Sequence, residues 1–242
     1  NQTDLFKISR SKFNEFLKCK KCFYLDRVKG LKYPSSPGWT LNETTDLLLK
    51  KEFDLCREQQ IPHRIFQKFN LDKIVPMQHE NIDLWRDSLH HGLKYHIVGS
   101  NIVLHGGIDD VWFDQVTNQL IVAEYKSQAT LRSVTPTDYL NGTYHQDYKI
   151  QLDVYAYLFT KMGFDVSPTG YFYVCNANRK ASSFDGHLLF EEVLVPYEWH
   201  AGWIDPKIQE MIEVLNSNAI PDQNFSCENC AYTHHRAIAE NI

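Results

Sequence analysis

Glu124 and Lys126 stand two residues apart at the end of the apolar run Leu120-Ile121-Val122-Ala123, and Asp109 and Asp110 stand side by side between Ile108 and Val111 in the run before it. Side chains on a strand alternate between faces, so Glu124 and Lys126 share one face while Tyr125 points away. A hairpin with its turn at Thr117-Asn118-Gln119 brings an aspartate within cross-strand reach of that pair. Carboxylate oxygens suit hard divalent cations, and an ammonium beside them can stabilise a developing anion. The stretch 105–127 is therefore a candidate metal cradle. An E-x-K triplet alone is weak evidence, because strands commonly end in charged residues that do no more than pair in solvent.

Cysteines form the second chemical group. Cys19 with Cys22 and Cys227 with Cys230 make two C-x-x-C pairs near opposite ends of the chain, while Cys56 and Cys175 lie alone in apolar segments and read as core thiols. In a reducing compartment such cysteines are thiols or metal ligands more often than disulfides.

The elements that must position these residues follow from periodicity. Ser9 caps a helix carrying Phe13, Phe16 and Leu17, which is expected to run on through Cys19 and Cys22. A breaker-rich loop over 30–38 leads to a helix that opens on a Thr40/Glu43 capping box and reaches about residue 57, with Leu41, Thr45, Leu48 and Leu55 as its stripe and Asp46 beside it. Residues 61–80 give no assignment. A helix over 82–91 is followed by strands at 95–98 and 101–104 around Gly99-Ser100, continuing into the hairpin as one antiparallel meander. A polar loop is expected from Lys126 to Gly142, then a helix over 148–162 with Gln151 and Tyr155 on one face. Strands at 171–174 and 188–195, an amphipathic helix within 199–216 that Pro206 kinks or starts, and a loop-like tail complete an α/β or α+β chain.

At 242 residues, 43% hydrophobic and 23% charged, the composition is that of a folded chain with a sizeable core rather than a disordered one. A formal net charge of -5 speaks against a general basic coat but leaves room for a local basic groove. No apolar run approaches the length of a membrane-spanning helix, and NQTDLFKISRSK lacks the apolar core of a signal peptide, which makes a cytoplasmic protein the expectation.

Taken in order, GGIDDVW, VAEYKS and the helix carrying QLDVY resemble the PD-(D/E)xK nuclease superfamily, in the RecB-like branch that includes the CRISPR-associated iron-sulfur exonucleases. The resemblance implies a restriction-endonuclease-like α/β core, with a central mixed sheet flanked by helices, in a single domain over 1–242. It makes Asp109 the bridging metal ligand, Glu124 and the backbone carbonyl of Tyr125 further ligands, Lys126 the catalytic lysine, and Gln151 with Tyr155 the last motif. RecB-like members usually carry a histidine on an early helix; the aligned position here holds Asp46, or Thr45, and Asp46 is the expected replacement ligand, with His90, His91, His96 and His105 as other donors. In cluster-bearing members one N-terminal and three C-terminal cysteines surround a 4Fe-4S cluster. Here Cys19, Cys22, Cys227 and Cys230 make up the four, and His234-His235-Arg236 stands where a third C-terminal cysteine would be expected. Residues 1–30 and 222–236 would then form a metal-binding cap around a 4Fe-4S cluster or, alternatively, zinc.

The implied activity is Mg- or Mn-dependent hydrolysis of DNA, at ends or in single strands, during repair, recombination or CRISPR-type processing. DNA is the implied partner, with a helicase or other DNA-processing protein beside it and no membrane. Lys18, Lys20, Lys21, Arg132 and Lys149 would follow the phosphates. A competing reading keeps the fold as a nucleic-acid-binding scaffold without turnover. The absent histidine and the acidic net charge favour that reading, and the convergence of two carboxylates with a lysine argues against it.

Overall fold

Ser9 ends a short strand, β1 (Phe6–Ser9), and caps the helix after it, α1 (Arg10–Lys18), its Oγ accepting from the Lys12 amide at 3.2 Å. The computed structural model describes residues 5–34 and 38–241, so part of the breaker-rich loop, residues 35–37, lies outside the described residues. The first helix does not continue through the cysteines. Cys19 is extended, with φ -158°, and serves as the cap of a second helix, α2 (Lys20–Arg27), its Sγ accepting from the Cys22 amide at 3.5 Å. The break turns the chain so that Phe16 and Phe23 meet edge to face with centroids 5.4 Å apart, which a continuous helix with these residues seven apart would not bring about.

The next helix, α3 (Thr40–Gln59), has Trp39 at its cap position with no side-chain cap bond, so the Thr40/Glu43 box is not formed. Its inward face also differs from the expected stripe. Leu49, Phe53 and Arg57 are buried, whereas Leu41, Leu48 and Leu55 are exposed. The reason is chemical: apart from Leu49 and Phe53, the inner face carries Asp46, Lys50, Asp54 and Arg57, and a hydrophobicity pattern selects the wrong side of such a helix.

The chain then runs through α4 (Arg64–Lys68), β2 (Ile74–Pro76) and α5 (Ile82–Arg86), the last shorter than expected because Asp87 Oδ1 takes the amides of Leu89 and His90, each at 3.1 Å, and turns the chain out of the helix. Next come β3 (Leu93–His96) and β4 (Ile102–Gly106), an antiparallel pair whose turn holds Gly99 at φ +78°. After these the expected meander breaks. Strand β4 belongs to a three-stranded sheet of order β1-β4-β3, whereas β5 (Asp110–Asp114) and β6 (Gln119–Gln128) belong to a separate five-stranded sheet. The chain crosses between them over residues 107–109, and at Gly107 a Cβ would fall 2.5 Å from the Cβ of Ser88, so the crossing needs a residue without a side chain.

Thr135 caps a further helix, α6 (Pro136–Asn141), within the expected polar loop, and Pro136 occupies the helix start, where its missing amide costs nothing. Then α7 (Gln146–Lys161), β7 (Thr169–Ala177), β8 (Phe190–Glu198) and α8 (Ile204–Asn216) follow, the last with Pro206 in its first turn. The tail is not loop-like throughout, since Cys227 opens a final helix, α9 (Glu228–Glu240).

In the larger sheet, of order β2-β5-β6-β7-β8, only β6 and β7 run parallel. Both faces of β6 are buried. Leu120 and Val122 pack with Leu152, Phe159 and the rest of the α7 side, while Ile121, Ala123 and Tyr125 pack with Phe53 of α3 and Phe66 of α4. Mixed sheets held between helices are the α/β arrangement the sequence implied, in two sheets rather than one. Among the described residues no helix is long and apolar enough to cross a membrane.

Candidate functional site

Alternation along β6 carries Glu124 and Lys126 onto the side occupied by α7. Glu124 is fully buried; its Oε2 accepts from Lys126 Nζ at 2.9 Å, and its Oε1 is buried without a partner. Burial, reinforced by the charge of Asp109, pushes the Glu124 carboxyl up to about 8. Asp109 lies in the crossing between the sheets, and its Oδ2 accepts from the Tyr125 amide at 2.9 Å. That contact is available because pairing with β5 ends at Ala123, leaving this edge of β6 open. The N–H and C=O of a strand residue point to the same edge, so the Tyr125 carbonyl opens towards Asp109 as well.

Helix α3 adds Asp46 and Lys50. Lys50 Nζ is 2.8 Å from Asp46 Oδ2 and 3.8 Å from Asp109 Oδ1, and Asp46 Oδ1 is buried and unpaired. Burial and the Asp109 charge raise the Asp46 carboxyl above the usual aspartate range. A buried acceptor without a donor costs about 1–3 kcal/mol. Glu124 Oε1 and Asp46 Oδ1 have no geometric hydrogen-bond partner among the described residues, and the charge of Asp109 acts on both side chains, so Asp109, Glu124 and Asp46 are the carboxylates that would hold a divalent cation here. The donors are hard oxygens throughout, which suits Mg or Mn.

Lys126 is braced on several sides. Its Nζ donates to Gln151 Oε1 at 3.3 Å and lies 4.8 Å from the centre of the Tyr148 ring. Gln151 Nε2 in turn donates to the Tyr155 hydroxyl at 3.4 Å, so the expected shared face of α7 is realised as a chain of contacts. Burial pulls the lysine pKa down, but the charges of Glu124 and Asp109 more than offset it, and the net shift is upward; the amine is an ammonium at neutral pH. Arg10, at the start of α1, lies beside Tyr155 and adds positive charge facing Glu124 and Asp109. Gly106 makes this approach feasible, since a Cβ there would lie 2.7 Å from the Tyr155 ring.

The adjacent Asp110 faces the opposite side of the sheet. It has no exposed surface, its Oδ1 accepts from Arg57, from Arg86 at 2.8 Å and from the Val111 amide at 2.8 Å, and its Oδ2 accepts from the Tyr125 hydroxyl at 2.7 Å. Arg57 and Arg86 also share Asp54, at 2.6 and 2.7 Å. Both Asp110 oxygens are thus occupied by a buried charge cluster that joins α3, α5 and the hairpin.

The histidines considered as donors are engaged elsewhere or exposed. His90 and His91 lie beside Asp87, His96 is exposed, and His105 sits near the charges of Lys7, Lys94 and Arg27. Lys50, Arg10 and Tyr148 join the site without having been singled out in the sequence. Lys50 carried a usable signal, because it follows Asp46 by one helical turn; Arg10 and Tyr148 meet the site only through tertiary packing.

Beyond the C-terminal end of α1 the two C-x-x-C pairs converge. Cys19 Sγ and Cys230 Sγ are 3.6 Å apart, Cys22 lies 3.6 Å from Cys230 and 3.7 Å from Cys227, and all four Sγ atoms fall within 4.8 Å of one another, as a metal centre requires. Cys175 is buried as expected, and Cys56 is only half-buried.

Fold and site together define an α/β protein of the restriction-endonuclease-like class. A comparison with models of known families matches residues 40–235 to the PD-(D/E)XK nuclease superfamily, and the chain belongs to that superfamily. Members of this superfamily use divalent metals. Among solved structures it is similar to a candidate exonuclease from Eubacterium rectale, with 11% identity over 93% of this chain and 87% of that one and a TM-score of 0.43. A comparison with curated protein sequences gives no match.

The raised Glu124 carboxyl leads to a prediction for metal binding. Below pH about 8 the side chain carries a proton that a divalent ion must displace. Affinity for Mg or Mn is therefore expected to rise about tenfold per pH unit as the pH climbs towards that value and then to level off. Titration calorimetry in two buffers of different ionisation enthalpy reads the released proton directly; binding that is indifferent to pH would remove Glu124 from the ligand set.

Proposed function

We propose that this protein is a divalent-metal-dependent nuclease that hydrolyses DNA phosphodiesters, with Asp109, Glu124, the Tyr125 carbonyl and Asp46 as ligands and Lys126 as the catalytic cation. The observation that carries this reading is the state of Glu124: one oxygen held by Lys126, the other buried without a geometric hydrogen-bond partner, and the carboxyl raised by burial and the charge of Asp109. A bound Mg or Mn ion supplies Lewis acidity at the phosphate and lowers the pKa of the attacking water. The rest is done by the chain. Lys126, kept protonated by its carboxylate neighbours, stabilises charge that develops on the phosphate rather than acting as a base. Gln151 holds the ammonium in place and Tyr155 holds Gln151. Arg10 adds a second fixed positive charge.

The substrate assignment draws on a groove of about 640 Å³ that begins at Gln128, two residues beyond Lys126, and is lined by Arg132 and Arg179 among others. Lys180 lies on an adjoining hollow that shares both arginines. Among the described residues no carboxylate is paired with Arg132, Arg179 or Lys180, so their charge is available to a phosphate backbone. The expected track along α1 and α2 changes, because Lys18 is paired with Asp147 and Lys20 with Glu210. Within the superfamily, the Gln151–Tyr155 brace and the two cysteine pairs support a RecB-like assignment, with action on ends or single strands.

Incubating the protein with labelled single-stranded DNA, double-stranded DNA and RNA, with Mg, with Mn and with EDTA, tests the proposal. Cleavage of DNA that needs the metal is expected. An absence of cleavage in every metal condition would favour the scaffold reading, and a preference for RNA would overturn the substrate.

A further inference from the structure

The four thiols are too close together for the cluster that the family resemblance implied. In a 4Fe-4S cube each cysteine binds its own iron at a separate corner and points away from the centre, which holds the sulfurs roughly 6 Å apart. One tetrahedral ion with metal–sulfur bonds of about 2.3 Å instead sets its edges at roughly 3.8 Å. The separations in the structure are 3.6, 3.6 and 3.7 Å, with every pair inside 4.8 Å. The residues do not fit the cube, and they do fit a single ion.

The local architecture agrees. Cys19 is the cap of α2 and Cys227 the cap of α9, and in each pair the second cysteine lies three residues further on, in the first turn. Both C-x-x-C pairs are thus presented at helix starts, a spacing that lets each pair offer two sulfurs to one ion. A tetrahedral set of four thiolates selects zinc among divalent ions once the iron-sulfur cube is excluded by spacing.

An independent observation concerns what holds α9 in place. From Glu228 to Glu240 the one buried residue is Cys230; Tyr232 is 67% exposed and Ile238 62%. A thirteen-residue helix is marginal in water without an apolar face to pack. Besides the thiols, the ties near it are Asn224 Nδ2 donating to the Lys18 carbonyl at 2.7 Å and Gln223 Nε2 donating to the Cys230 carbonyl at 3.3 Å. Neither replaces a packed face.

We propose that Cys19, Cys22, Cys227 and Cys230 bind one zinc ion in place of an iron-sulfur cluster, and that this ion is the main anchor of the C-terminal helix. The proposal does not rest on the nuclease reading, since metal content and tail protection are measured without reference to cleavage.

The test uses the whole protein, purified anaerobically without a chelating tag so that a labile cluster would survive, and dialysed to remove weakly bound ions. Elemental and acid-labile sulfide analysis should find one zinc per chain and no sulfide, and X-ray absorption at the zinc edge should find four sulfur neighbours at about 2.3 Å. Iron in the centre, with or without sulfide, or four thiols that titrate freely in metal-free protein, would overturn it. Cys22→Ser and Cys227→Ser should lose the zinc while Asp109→Asn retains it; should the cysteine variants fail to fold, the wild-type spectra decide. Limited proteolysis reads the anchor: stripping zinc from the wild type should open the segment after residue 216 to cleavage while the sheet remains protected. A tail equally protected with and without zinc would overturn the anchoring role.

Discussion

Lys126→Ala is expected to lower DNA cleavage about 100- to 1,000-fold, the usual loss when a preorganised donor to transition-state charge is removed, while the protein stays folded. Folding survives for a reason visible in Glu124. Losing its ammonium partner leaves no bare buried charge, because the Glu124 carboxyl, pushed up to about 8, already carries a proton at neutral pH, and the penalty stays small. The strand itself is held by its ladders to β5 and β7, which do not involve the lysine side chain. Lys126→Arg should rescue little, because a flat, forked guanidinium does not match a position set by Glu124, Gln151 and the Tyr148 ring. Thermal melting together with a cleavage assay separates the two effects. Cleavage that survives Lys126→Ala would end the catalytic assignment.

Two neighbouring aspartates should fail in opposite ways. Asp110→Asn removes the charge on which Arg57 and Arg86 converge and leaves Asp54 as their remaining carboxylate partner among the described residues. Breaking a buried ion pair from one side costs about 3–5 kcal/mol, which for a chain of this size lowers the melting temperature by roughly 6–20 °C. Asp109→Asn removes a partly exposed charge that repels Glu124 and Asp46 and keeps an oxygen for the Tyr125 amide. Its stability should be unchanged or slightly higher without metal, with cleavage abolished. Melting curves of the two variants side by side check this. Equal destabilisation would mean that the two carboxylates do not divide the roles as the structure separates them.

That division was only half legible in the sequence. The alternation on β6 foretold that Glu124 and Lys126 share a face with Tyr125 opposed, because a strand's period is strict and its flanking residues are apolar. Preferring Asp109 to Asp110 needed the family resemblance, since adjacent identical residues carry no periodic signal. The break between sheets at 107–109 was hidden for the same reason that it works: glycines admit close approach without announcing which neighbour approaches. Helix α3 misled because its inner face is largely charged, and the leucines that looked like a core stripe face outward. Lys18 and Lys20 looked like a phosphate track until folding brought Asp147 and Glu210 to them across the molecule. The last helix escaped notice because it has almost no apolar face to detect.

The hydrogen bond from the Tyr125 hydroxyl to Asp110 has a further consequence. It joins the two arms of the hairpin at the end away from the turn, on the face opposite Glu124 and Lys126, and so works as a gauge for how the arms are aligned. A slip of one residue would present Tyr125 to the metal ligands and drive Lys126 in among Phe53 and Tyr173. With alignment set at that far end, the turn at residues 115–118 can lengthen or shorten over evolutionary time without moving the chemistry. A single insertion between Ala123 and Lys126 cannot.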